Sequence, residues 1–505
     1  MPSAPLVDTA QGQLSGLHLP GGVQAFLGVP FAGSTAPPHR FRAPRPPRAW
    51  NGVRDATAPG PICPQNDDDG VGAYAGLAQS EDCLNLNIWT PACDGGARGV
   101  FVFFHGGAFV TGAGNLSLYD GARLAAAEDI VVVTANYRLG VLGWPPFAAW
   151  GPAESRNLGL LDAVAALRWI GENIAVFGGD PARVTHGGQS AGAMISAMLT
   201  RLPEAEGLFA RAAPMSLQTL VGLEPDRQDR YAAEILTELG AADLEPLKTA
   251  PVATLLQAQW TVRQRALHVI DTVEQLRWPF MPNRDGLLIG EDPADWIAPG
   301  SRQRAARAPI MAGYTTEELV VTPLQLNANP TAATLSTRAV TVAGLTRLFD
   351  ERAAQRIWET YAKAYPAASE SELCGLIATD KDYRMPAVRL AEAAAGGETH
   401  LYAFDYRGRG PYFPNAHHAL DLPFWFGATA EPRYAGFFLG GEATEAERAL
   451  TRDMQRALGG FVRGEGPGWA PYDPVRRETM VFGLVSGAKA DPASDTRRVW
   501  DDLVP

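Results

Sequence analysis

The stretch Arg183-Val-Thr-His-Gly-Gly-Gln-Ser-Ala-Gly-Ala-Met-Ile-Ser196 decides the fold. Its first four residues read as a short strand, and residues 190–202 are helical in pattern, with a glycine-rich turn between them. Within the turn, Gly188-Gln189-Ser190-Ala191-Gly192 fits Gly-x-Ser-x-Gly. A strand-to-helix turn this tight pushes the serine Oγ clear of the backbone, and a Cβ two residues to either side would clash. A serine that opens a helix also has N–H groups and the positive end of the helix dipole beside it, which favours a developing negative charge. The pattern alone is weak, because a passive serine in a glycine-rich turn fits it too. The strand before it and the helix after it strengthen the reading of Ser190 as a nucleophile.

Working outward, Val100-Phe-Val-Phe-Phe104 is a continuous apolar run, the mark of a buried parallel strand, and residues 130–134 form a second. A helical stretch, 121–128, lies between them. Leu160, Val164, Leu167 and Ile174 recur at helical spacing and predict a helix over about 158–176, broken by Gly178-Gly-Asp-Pro181. The alternation continues with strands at 308–313 and 400–406, a helix at 351–362, and a last helix from about Thr444, a good N-cap, to 462. Strand and helix alternating in this way predict an α/β fold: a large, mostly parallel central sheet with helices on both faces. There is no repeat and no low-complexity linker, so residues 1–505 are read as one domain. Residues 226–277 are mostly helical, lie between sheet elements and are expected to form a cap over a pocket.

Composition excludes several classes of function. Hydrophobic residues make up 46% of the 505, enough for a large core. Asp and Glu number 55 against 43 Lys and Arg, a net charge of −12, and an acidic surface repels phosphate backbones, so no nucleic-acid partner is expected. No apolar run reaches the roughly 18 residues of a membrane span. The first ten residues lack a basic start and an apolar core, so no export signal is read and a cytoplasmic location is expected. The four cysteines form no Cys-x-x-Cys, and no metal site is expected. Asp67-Asp-Asp-Gly70 reads as a solvated loop, and Gly70-Val-Gly-Ala-Tyr-Ala75 follows it and not a strand, so no dinucleotide site is read there.

A serine hydroxyl needs a base and a place for the oxyanion. His105-Gly106-Gly107-Ala108-Phe109 directly follows the buried strand 100–104, and its paired glycines let backbone N–H groups point into a site. Gly107 and Ala108, with Ala191 after the nucleophile, would supply three donors, with Gly106 supporting the turn. In chain order the acid and then the histidine follow the serine, which leaves His268, His400, His417 and His418. The loop holding His417 and His418 is favoured, but the residues alone do not choose between the two. Glu317 and Glu318 follow the strand 308–313, where a sheet's carboxyl-end site collects its residues, and a surface carboxylate pair is the other reading.

Taken together, these residues resemble the type-B carboxylesterases, the group holding para-nitrobenzyl esterases, liver-type carboxylesterases and cholinesterases, and bacterial members most of all. The resemblance runs along nearly the whole chain. Its matches are Phe26-Leu-Gly-Val-Pro-Phe-Ala32, Arg40-Phe-Arg-Ala-Pro44, Gly52-Val-Arg-Asp-Ala56, Ile62-Cys-Pro-Gln65, Glu81-Asp-Cys-Leu-Asn-Leu-Asn87, His105-Gly-Gly-Ala-Phe109, Asn136-Tyr-Arg-Leu-Gly140 and Asn173-Ile-Ala-Val-Phe-Gly-Gly-Asp-Pro181. It implies the α/β-hydrolase fold. Gly313-Tyr-Thr-Thr-Glu-Glu318 is similar to the family's acid motif and implies Glu318 as the acid; His418-Ala-Leu-Asp-Leu-Pro-Phe-Trp-Phe-Gly427 is similar to its histidine motif and implies His418 as the base. Ser216 resembles a second serine that braces the acid, and Cys63 and Cys83 match a pair that is a disulfide in secreted relatives and is expected to stay reduced in a cytoplasm. Departures are Gln189 where Glu is commoner, Pro214 and Leu217 around Ser216, and Ala163 for a frequent Gln.

The implied function is hydrolysis of a small-molecule carboxylic ester by a Ser-His-Glu triad through an acyl-enzyme, with no cofactor, by a monomer or homodimer. Two rival readings are the same triad acting on carbamates or amides, and a catalytically inactive binding protein on this fold.

Overall fold

The run 98–104 is buried on both sides because it is the middle of a sheet. This strand, β7 (Arg98–Phe104), turns Val100, Val102 and Phe104 into one hydrophobic cluster and Phe101 and Phe103 into another, as a period of two requires. The structure, a computed structural model, describes residues 4–66, 74–147, 156–269, 279–298, 308–321, 336–394, 398–410 and 413–503. The acidic loop 67–70, most of 70–75 and residues 270–277 of the cap-like segment lie outside the described residues.

The strands preceding β7 are β1 (Leu6–Thr9), β2 (Gly12–Ser15), β3 (Leu17–His18), β4 (Gln24–Pro30), β5 (Val53–Asp55) and β6 (Asn85–Thr90). Those that follow are β8 (Val131–Ala135), β9 (Gly179–Gln189), β10 (Arg211–Met215), β11 (Ile310–Thr315), β12 (Thr399–Phe404), β13 (Glu478–Phe482) and β14 (Gly487–Ala490). Eleven of these described strands make one sheet in the order β14-β13-β12-β11-β10-β9-β7-β8-β6-β4-β3, and β1, β2 and β5 make a small second sheet. From β8 to β13 every neighbouring pair is parallel, while β6, β4 and β3 on one side and β14 on the other are antiparallel. The sheet is therefore mostly parallel, with hairpin-like rims.

Helices cover both faces. Leu158–Asn173 sends Leu160, Val164, Leu167 and Ile170 into the cluster that holds Val100, and a 3-10 turn, Ile174–Phe177, tightens its end. On the opposite face Glu445–Arg463 sends Leu450, Met454, Leu458 and Phe461 against Phe101 and Phe103. That helix starts at Thr444, whose Oγ1 accepts from the backbone N–H of Glu447 while the Glu447 carboxylate accepts from the backbone N–H of Thr444. Beyond the sheet, Arg338–Leu348, Glu351–Ala364 and Glu370–Thr379 share a third, smaller core. The segment expected to form a cap holds Pro225–Leu239 and Val252–Val269, bridged by Arg265 and Glu238 at 2.7 Å. Arg138 and Asp162, fully inside, form a bidentate pair that ties the loop after β8 to the helix 158–173.

The topology places β7 beside β9 and only β10 between β9 and β11, and the Gly-Gly loop, the serine and the glutamates sit just past the ends of β7, β9 and β11. Parallel strands put their carboxyl ends, and the loops that follow, on one edge of the sheet.

Candidate active site

Ser190 stands between β9 and the helix Ala191–Leu199 with φ 58° and ψ −122°, a conformation that non-glycine residues avoid. The turn is this sharp because backbone runs close on both sides: a Cβ on Gly188 would lie 2.5 Å from the carbonyl oxygens of Gly192 and Phe104, and one on Gly192 would lie 2.0 Å from that of Phe104. The Ser190 N–H donates to the Met215 carbonyl at 3.1 Å, which holds the turn against β10.

After β7 the chain turns through Gly107, Ala108 and Phe109 with φ of 119°, 51° and 64°. Three successive left-handed residues turn N–H groups out of the sheet. Among the described residues, the N–H groups of Gly107, Ala108 and Ala191 donate to no protein acceptor. His105 beneath them is buried, its ring stacked on Tyr137 at 4.4 Å, and burial lowers its pKa to about 4. It is a neutral support for the loop and no candidate base.

Of the four histidines left open, His418 meets Glu318. His418 Nδ1 lies 2.5 Å from Glu318 Oε2, and its backbone N–H donates to the Glu318 carbonyl at 3.2 Å. Glu318 is fully buried, and its other oxygen accepts from the Thr315 N–H at 2.8 Å. His417 instead turns Nδ1 to the carbonyl of His418, at 3.2 Å, and sits against Phe413; burial holds its pKa down. His400 is on β12 among Phe461, Trp469 and Glu398, and His268 falls on the helix Val252–Val269.

Ser190, His418, Gly106, Gly107, Ala108 and Gln189 line one cavity of about 460 Å³, with Tyr119, Arg263, Leu319 and Tyr383 among its other walls. A cavity of about 680 Å³ elsewhere, walled by Tyr314, Arg384 and Arg407, contains none of Ser190, His418 and Glu318, so size does not mark the site. The Nε2 of His418 is engaged at 3.0 Å by the side-chain amide of Gln189, the residue before the serine.

The structure shows no direct hydrogen bond from Ser216 to Glu318: among the described residues its Oγ is buried without a protein partner, while its N–H donates to the Gly313 carbonyl at 2.8 Å. Cys63 and Cys83 are free thiols beside each other; that contact and burial push the Cys83 thiol far up.

Three residues of the site were not singled out in these roles by the sequence. Glu317 accepts from Arg407 at 2.7 Å and from the Ala416 N–H at 3.0 Å, pinning the loop that carries His418. Tyr383, in the π-turn Asp380–Arg384, puts its ring 5.0 Å from that of His418. Asp421 is buried three residues on, accepting from Trp425 Nε1 at 3.0 Å; burial, with Glu318 nearby, raises its pKa to about 6. The Gly-x-x-x-Glu-Glu spacing marked Glu317 as a carboxylate but not as a loop pin, and Tyr383 carries no motif. Among the described residues no group of three or more metal-ligating side chains is placed to hold an ion, and no helix is long and apolar enough to cross a membrane.

Comparison with known proteins adds the chemistry. The carboxylesterase family profile matches residues 3–489. The chain belongs to the carboxylesterase family. It is 34% identical to a para-nitrobenzyl esterase of Bacillus subtilis over 505 residues, covering 98% of each chain, and 32% identical to a fumonisin B1 esterase of Sphingopyxis macrogoltabida over 500 residues, covering 95% of this chain and 86% of that one. Among solved structures, a carboxylesterase of Geobacillus stearothermophilus superposes with a TM-score of 0.83 at 34% identity, over 98% of this chain and 99% of that one. This esterase therefore has the α/β-hydrolase fold and is a carboxylic ester hydrolase acting on a small-molecule ester.

Proposed function

We propose that the esterase cleaves its substrate in two acyl transfers, with Ser190 as nucleophile, His418 as general base and Glu318 as the group that orients the imidazole. The observation that carries this reading is the 2.5 Å contact between His418 and Glu318 at a cavity that Ser190 also lines. Glu318 accepts a hydrogen bond from the Nδ1–H, which leaves the Nε2 lone pair toward the cavity. His418 takes the Ser190 proton as Oγ attacks the ester carbon. The N–H groups of Gly107, Ala108 and Ala191 bind the oxyanion, each worth about 3 kcal/mol at the transition state. The imidazolium then protonates the leaving alcohol. Water, deprotonated by His418, attacks the acyl-enzyme and releases the acid. Glu318 stays ionised throughout and stabilises the imidazolium. The described helices of the segment 226–277, Pro225–Leu239 and Val252–Val269, act as a cap on this single-domain fold, and Arg263 brings the second of them to the cavity wall.

The test is covalent labelling. A fluorophosphonate should modify the parent once, at Ser190, and should leave Ser190→Ala unlabelled and without ester turnover at unchanged secondary structure. Labelling at another serine, or near-normal turnover by Ser190→Ala, would overturn the assignment. Matched ester, anilide and carbamate substrates compared by kcat/KM fix the bond preference.

A further inference from the structure

Gln189 is the last residue of β9, 3% exposed, and its side chain lies between two parts of the site. Its Nε2 is 3.0 Å from His418 Nε2, and its Oε1 lies against the Gly-Gly loop, where a Cβ on Gly106 would stand 2.8 Å away. The proton inventory of the imidazole decides what this contact is. Glu318 is an acceptor on Nδ1, so in the neutral ring Nδ1 carries the hydrogen and Nε2 has only a lone pair. A lone pair is met by a donor, and the amide nitrogen facing it is one. A carboxylate at position 189 has no donor when ionised, and could make the same contact only after His418 had gained a second proton.

We propose that Gln189 is a positioning residue of the base: its amide N–H donates to Nε2 of neutral His418, holds the ring in the tautomer that can accept the serine proton, and is displaced from Nε2 by Ser190 when acylation begins. The inference rests on the triad proposed above. It gives the neutral side chain at this position a role that an ionised glutamate could not fill. Once the proton has moved to Nε2, rotation of the same amide turns Oε1 toward it as an acceptor, a reversal that an ionised carboxylate does not permit. The other groups around the imidazole are Glu318 from the loop after β11, the Tyr383 ring from the π-turn, His417 beside it and the buried Asp421 beyond, with Arg263 and the Lys381-paired Asp382 in the cavity wall. Their contributions are common to the parent and to any variant at 189.

The experiment is the pH dependence of kcat/KM on an activated ester for the parent, Gln189→Glu and Gln189→Met, with Ser190→Ala and His418→Ala as controls. Gln189→Glu places an anion beside the ring and should move the acid-side loss of activity up by about one pH unit or more. Gln189→Met keeps the volume but removes the donor to the neutral form, and should move it the same way by less. Coincident profiles for all three proteins, with both controls inactive, would overturn this proposal and leave the triad standing; turnover by either control would overturn both. A second readout needs no variant: in the parent labelled with ¹⁵N-histidine, His418 should show a bare, hydrogen-bonded Nε2 and a protonated Nδ1 at neutral pH. The opposite tautomer contradicts the role of Gln189 directly.

Discussion

His418 is tied to Glu318 twice, side chain to side chain at 2.5 Å and backbone N–H to carbonyl at 3.2 Å, across 100 residues of chain. The second bond fixes where the histidine's backbone sits, and the first fixes which way its ring turns. Glu318→Gln keeps the size but replaces the acceptor with a group that can present a donor to Nδ1, so the wrong tautomer becomes accessible. The expected outcome is a fall in kcat of about 10³–10⁴-fold with the far-ultraviolet spectrum unchanged, read by steady-state kinetics. A loss below tenfold would mean that the imidazole is oriented by something else.

The Gly107 backbone is at φ 119°, and a Cβ there would stand 2.1 Å from the Thr111 carbonyl oxygen. Gly107→Ala cannot keep that turn, and the N–H groups of 107 and 108 should swing away from the oxyanion position. Loss of one donor corresponds to about a 10²–10³-fold drop in kcat. The drop should be similar for esters of different acyl length, because the oxyanion is common to all of them; a drop confined to long acyl chains would assign the loop to substrate fit instead.

Glu317 is bonded to the loop that carries His418. Its carboxylate holds the Ala416 N–H, two residues before His418, and burial, partly opposed by that bond and by Arg407, raises its pKa. Glu317→Ala should lower kcat by on the order of tenfold to a hundredfold by letting the loop drift, since errors near 1 Å have that effect. Arg407→Ala, at the exposed end of the same pair, should change stability by less than about 1 kcal/mol. Equal effects of the two substitutions on kcat would show that the ion pair, and not the bond to Ala416, carries the role.

Asp421 gives the stability a pH signature. Burial raises its folded pKa to about 6, above the ordinary carboxylate value of 3.8, so between those values the folded state holds a proton that the unfolded chain releases. The carboxyl contributes no penalty at low pH, and stability is lost as pH rises through that window, by up to about 3 kcal/mol at the top of it. Asp421→Asn removes the titration. In urea denaturation, the stability of this variant relative to the parent should rise between pH 4 and pH 7; a difference that stays flat with pH would contradict the assignment.

Thr444 caps the helix Glu445–Arg463 through a reciprocal pair with Glu447. Thr444→Ala should cost about 1 kcal/mol in a urea titration with kcat unchanged, because the helix lies on the face of the sheet and away from the cavity.

By itself the sequence determined whatever rests on local periodicity and steric necessity. The apolar run of β7, the amphipathic spacing of 158–173, the Thr444 cap and the glycines around Ser190 each state their conformation within a few residues, and together they identify a mostly parallel α/β sheet. Ordered motifs along the chain carried the family. What periodicity could not announce was β10, whose Arg-Ala-Ala-Pro-Met is a poor strand former held by two parallel neighbours, or the antiparallel rims, which local patterns do not distinguish from loops. Nor could residue spacing choose His418 over His417. Adjacent side chains point in different directions, and which one meets Glu318 is set by the bond from the His418 backbone to the Glu318 carbonyl, a contact between segments that have no local reason to meet. The same holds for Glu317 as a loop pin, for Tyr383 beside His418, and for the amide of Gln189 on Nε2. Each is a hydrogen bond or contact made across the sheet's carboxyl edge, and only the folded chain brings its two halves within reach.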